Sequence, residues 1–140
     1  MGTNLIHTSS CFMQCKGITS SLAPSSFIEV LASSANDRRI YGFAMLSDDN
    51  AAQTVRISLT SGGDRILAVT VNVAAGSGTN GTVAATDVFG GTNGQSIFQK
   101  KRDTNGLAYF DLPAGWSIEI QYFGGLTNET LTTHIFGETY

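Results

Sequence analysis

The chain has 140 residues, a formal net charge of −3 and only 14% charged residues, against about 25% in an ordinary soluble domain. Its 16 glycines and 2 prolines, set among many Ser, Thr and Asn, suit a turn-rich β protein. The totals lack the broad basic footprint of a nucleic-acid interface, hold no apolar run of the roughly 18 residues a membrane span needs, and offer 2 cysteines, too few for a disulfide framework.

A chain of this length is expected to form one domain. Residues 1–25 stand apart from the rest. Leu5, Ile6, Phe12, Met13, Ile18 and Leu22 are scattered among Ser, Thr and Gly without a sustained period. Such a segment does not bury itself as an isolated helix or strand. It is expected to be an N-terminal arm that a partner orders, with those six residues as its contacts. An edge strand of the main domain is the alternative. The start lacks the charged and apolar regions of a signal peptide, so synthesis in the cytoplasm is expected.

From residue 26 the periods are those of strands. Phe27–Leu31 is a short one, and Ser33–Asp37 is a turn. Arg38–Ser47 has a nearly continuous apolar middle, as a central strand does. Gly42 within it suggests a bulge or a close backbone approach. Gln53–Thr60 alternates cleanly, with Val55, Ile57 and Leu59 inward and Thr54, Arg56 and Ser58 outward. Ser61-Gly-Gly-Asp64 is a hairpin turn. Arg65–Val73 returns with Leu67, Val69, Val71 and Val73 on one side. Residues 74–81 form a loop, residues 82–89 a plausible strand, residues 90–94 a loop and residues 97–100 a short strand or turn.

The last third alternates most regularly. Leu107–Leu112, Trp116–Tyr122 and Thr130–Phe136 are strands separated by Pro113-Ala-Gly115 and by residues 123–128. Trp116, Ile118, Ile120 and Tyr122 share one face, expected to be core. About eight antiparallel strands at short spacing, with no helical period, predict an all-β, jelly-roll-like antiparallel β-sandwich over residues 26–140.

Few residues carry candidate chemistry. His7, Cys11 and Cys15 form a His-x3-Cys-x3-Cys pattern that lacks a fourth ligand, so no metal site is expected and the thiols are expected to be buried in the arm. His134 is expected to be a structural strand residue. Asp48-Asp49-Asn50 lacks the further carboxylates of a calcium loop and suits a turn. Gly76-Ser-Gly78 and the glycines of 90–94 do not open a helix, so they are not phosphate loops. No catalytic set converges. No enzyme activity, cofactor or small-molecule substrate is expected, and neither nucleic acid nor membrane is an expected partner.

The end of the chain has a relative layout. Leu112-Pro-Ala-Gly-Trp-Ser-Ile-Glu-Ile120, a further strand and Phe136-Gly-Glu-Thr-Tyr140 resemble a group of small virion proteins of tailed bacteriophages. Arg39-Ile-Tyr-Gly-Phe-Ala44, Ala51–Leu59 and the Gly-Gly turn are similar in order, so the resemblance spans roughly residues 37–140. It implies a structural protein of the particle. Capsid cement or decoration proteins of that kind are often trimeric β-sandwiches with an extended arm. The implied role is a homotrimer on the capsid surface, bridging capsomers of the major capsid protein. A receptor- or glycan-binding module of a tail fibre or spike, or a tail or connector subunit, is the alternative.

Overall fold

The computed structural model describes residues 10–19, 25–89, 101–123 and 130–140. Ten strands occupy them: β1 (Ser10–Thr19), β2 (Phe27–Leu31), β3 (Arg38–Ser47), β4 (Gln53–Ser61), β5 (Asp64–Val73), β6 (Thr86–Asp87), β7 (Lys101–Arg102), β8 (Ala108–Leu112), β9 (Ser117–Tyr122) and β10 (Thr130–Thr139). Among the described residues there is no helix. β6 and β7 are two-residue strands that accompany the other eight.

The strands make two antiparallel sheets. One runs β1-β10-β3-β8-β7, with β6 beside β3, and the other runs β2-β9-β4-β5. Setting aside the two short strands, the orders are β1-β10-β3-β8 and β2-β9-β4-β5. Successive strands pass from one sheet to the other except at the β4–β5 hairpin. This eight-strand, two-sheet arrangement is a jelly roll. The expected fold class is therefore the observed one.

Between the sheets lies an apolar core. Ile40, Phe43, Met45, Leu131 and Ile135 enter it from the larger sheet, and Val55, Ile57, Val71, Ile118 and Ile120 from the smaller. Each full burial of such a side chain contributes about 1.5–3 kcal/mol. Gly62 and Gly63 close the β4–β5 hairpin with φ of +57° and +93°. Two consecutive positive φ values match the twist of the flanking strands and favour glycine at both positions.

Residues 10–19 of the stretch read as an arm form β1, paired with β10 from Ser10↔Thr139 to Thr19↔Thr130. They are the edge strand of the larger sheet, which was the other reading of this stretch. Pairing imposes the period that the sequence hides. Ile18 turns inward and is buried, and Phe12 packs against the core. Residues 1–9 and 20–24, with Leu5, Ile6, His7 and Leu22, lie outside the described residues.

Two bulges shift faces that simple alternation assigns. In β5, Ile57 pairs with Val69 but Ser58 pairs with Leu67, so Ala68 is an extra residue. A bulge turns the strand by one residue. Leu67 therefore faces outward and is exposed, against the expectation that it joins Val69 and Val71. In β3, Gly42 pairs with Phe136 while Ile40 pairs with Gly137, leaving Tyr41 as the extra residue. That shift lets both Ile40 and Phe43 point inward.

Of the 82–89 stretch only Thr86 and Asp87 pair as strand. Its neighbour Ser77 explains the loop before it. Ser77 is buried, and its hydroxyl donates to the Met45 carbonyl at 3.1 Å, pinning the loop to β3. Residues 90–100 and 124–129 lie outside the described residues.

Candidate contact surface

The outer face of the larger sheet is built by four strands. β1 presents Cys11, Met13 and Cys15, and β10 presents His134 and Phe136. Tyr41 comes from the β3 bulge and Tyr109 from β8. Met13 pairs with Phe136, and Phe136 with Gly42, so the three form one row across the sheet. The Phe136 ring lies directly on Gly42, where an added Cβ would fall inside the ring. Here the close approach that Gly42 suggests is by an aromatic side chain, in the manner that covers a glycine in a sheet.

Met13 is 72% exposed and Phe136 46%. Cys11, Phe12, Met13, Tyr41, Phe136 and Glu138 border a shallow groove of about 450 Å³ beside this row. Next to it, Arg39 grips Asp111 with two hydrogen bonds, Nε to Oδ1 at 2.8 Å and Nη2 to Oδ2 at 3.1 Å. That paired geometry holds the Arg39 guanidinium protonated well above its ordinary range. Its Cζ also lies 3.9 Å from the Tyr109 ring centre, and Tyr109 meets Tyr41 edge to face at 6.5 Å. The Tyr140 hydroxyl donates to Glu138 at 2.9 Å, and lost hydration with this bond pushes the phenol up to about 12. Exposed Met, Phe, Tyr and paired Arg are the residue types enriched in protein contacts.

Cys15 Sγ lies 3.7 Å from His134 Nδ1 on the same face. Both cysteines are exposed free thiols, which corrects the expectation that they are buried. The reason is again pairing: β1 turns alternate residues outward, and 11, 13 and 15 share that side. Among the described residues no group of three or more His, Cys, Asp or Glu side chains could hold a metal ion.

The other singled-out residues are structural. Asp49 is buried, accepting from Gln53 Nε2 at 2.9 Å and from the Ala51 amide at 3.2 Å, while Asp48 accepts from the Thr130 amide at 2.6 Å. The Asp49 bonds lie within the turn, as the Asp-Asp-Asn run suggests, and the Asp48 bond ties that turn to the start of β10. Ile118, Ile120 and Tyr122 are buried on the inner face of β9. Trp116 is only half-buried, because it sits before β9 in the turn where Gly115 has φ of +84°. Its carbonyl accepts from Arg38 Nη2 at 3.1 Å. Arg38 is 6% exposed, its guanidinium 5.8 Å from the Phe12 ring centre, and burial pushes its pKa down.

Of the six arm residues expected to make contacts, the structure puts Met13 on the open face and turns Phe12 and Ile18 inward. Tyr41, Tyr109 and Phe136 belong to the same surface and were not expected there. The period-2 placement of Cys11, Met13 and Cys15 is the signal that could have found its edge.

No protein-family model matches the sequence, and no curated protein matches it. Among solved structures, the chain is similar to a cryo-EM structure of the giant freshwater prawn Macrobrachium rosenbergii extra small virus (XSV) VLP. The TM-score is 0.37 at 9% identity, over 97% of this chain and 83% of that one. So distant a likeness assigns no function.

Proposed function

We propose that the protein is a structural virion protein of a tailed phage, a cement protein that sits on the capsid surface as a homotrimer and bridges neighbouring capsomers. The observation that carries this reading is the open face of the larger sheet, where Met13 and Phe136 leave apolar surface uncovered beside a paired arginine. Contiguous apolar surface of this kind marks a protein contact. The likeness of residues 37–140 to small virion proteins supplies the class of partner, and a jelly roll is an architecture that capsid proteins use.

The mechanism is mass action. A protein that binds only the assembled shell stabilises it by its own binding free energy. Every lattice site repeats the gain. Closed three-fold symmetry would let one molecule touch three equivalent capsomer surfaces.

The test is co-sedimentation with expanded empty capsids, paired with sedimentation equilibrium of the free protein. Saturable, stoichiometric binding is expected, and a free-protein mass of three chains of 14.8 kDa or a multiple of three. A monomer that ignores shells would overturn the reading. Binding to host cells or glycans instead would move the protein to a fibre tip.

A further inference from the structure

We propose that the free edge of β1 is a strand-pairing surface whose partner is β1 of a second copy, antiparallel, about a two-fold axis at Met13. The inference does not rest on the shell reading, and the contact differs from a three-fold one.

β1 runs for ten residues, against the roughly five or six of an ordinary strand. Among the described residues no strand lies beyond residues 10–16, the part of it that the pairing uses. Edge strands are normally blunted by proline, bulges, charge or short length, because their unpaired N–H and C=O groups template another strand. β1 has no proline, and its register with β10 is continuous over all ten residues. Lys16 is its one charged residue.

Its sequence also matches itself. Antiparallel pairing about Met13 sets Met13 opposite Met13 and Cys11 opposite Cys15 of the other copy, both on the outer face. Residues 10–16 of each strand overlap. The row Phe136–Met13, which stops at the edge of one molecule, then continues as Phe136–Met13–Met13–Phe136 across two. Lys16 faces Ser10. A two-fold at Lys16 would instead set lysine against lysine, and like charges directly opposite destabilise a sheet. A two-fold at Cys15 would place Met13 against Gly17 and break the apolar row.

The chain has 2 cysteines, both on β1, so thiol cross-linking reads this register directly. Opposed residues of an antiparallel pair have Cα atoms about 4.5–5.5 Å apart, within the roughly 4.4–6.8 Å that a disulfide needs. The experiment oxidises the full chain with copper–phenanthroline under air, oxygen taking the two electrons and two protons of each thiol pair, and reads dimer on a non-reducing denaturing gel. Wild type should form covalent dimer. Cys11→Ser and Cys15→Ser should each form none above background. Mixed before oxidation, the two variants should recover roughly half the wild-type yield, the share of unlike pairs that random partnering gives. Met13→Lys, at an exposed position, should keep its thermal midpoint and lose about tenfold in dimer through opposed charges. Dimer from Cys11→Ser alone would overturn the register. No wild-type dimer, or an unchanged yield in Met13→Lys, would overturn the edge pairing.

Discussion

The outer faces of the two sheets treat their exposed aromatic residues differently. On the smaller sheet each is capped by a cation. Arg65 lies 3.7 Å from the Phe27 ring centre and is held there by Glu119 at 2.8 Å, and Arg56 lies 4.9 Å from the Phe123 ring centre. On the larger sheet Tyr109 is capped by Arg39, but Phe136 lies over Gly42 beside Met13 with no cation over it among the described residues. A guanidinium over a ring supplies a hydrated upper surface and about 0.5–1 kcal/mol at an exposed site. The smaller sheet is finished against water. Among the described residues, the larger sheet is finished on one side of Arg39 and bare on the other.

That contrast depends first on β1 being a strand of the core, since Met13 belongs to it. Ile18→Ala should then cost about 2–5 kcal/mol, the range for emptying a buried isoleucine site, measured by urea unfolding. An unchanged midpoint would return residues 10–19 to the status of an arm and dissolve the bare face. Gly42→Ala should cost about 1–2 kcal/mol, as overpacking does, because the added methyl lifts the Phe136 ring. The urea midpoint and capsid binding should fall together. If Gly42→Ala is neutral, the ring does not lie where the row requires.

Phe136→Ala separates the two faces by function. It should leave the fold intact and weaken co-sedimentation with empty capsids about tenfold, or about 1.4 kcal/mol. The smallest effect is expected on the other side. Arg65→Ala removes a partly exposed ion pair and a ring cap, which at such sites together contribute about 1 kcal/mol or less to stability, and capsid binding should not change. Equal losses of binding in Phe136→Ala and Arg65→Ala would erase the distinction between the faces.

Much of the fold is legible in the sequence. The β4–β5 hairpin, the Gly62-Gly63 turn and the alternation of β9 are local, so period and turn chemistry specify them. The bulges at Tyr41 and Ala68 are not legible, because an inserted residue is defined by what pairs opposite it. Trp116 shares the parity of Ile118 but sits in a turn, where parity no longer fixes direction. The contact surface is the least legible part. Met13, Tyr41, Tyr109 and Phe136 come from four strands, and only strand order makes them neighbours. Period-2 reasoning assigns each a side without saying which residues stand beside it.

The position of β10 between β1 and β3 has a kinetic consequence. On leaving the ribosome, β1 and β3 cannot complete their sheet until β10, more than ninety positions later than β3 begins, is available to join them. Pairings of such long sequence separation close late, and β proteins dominated by them fold over about milliseconds to seconds. For all of that interval the long, unblunted strand near the start of the chain waits without its native neighbour. A growing chain in that state exposes a sticky edge, so yield in the cell should depend on crowding among nascent copies more than on the stability of the finished fold.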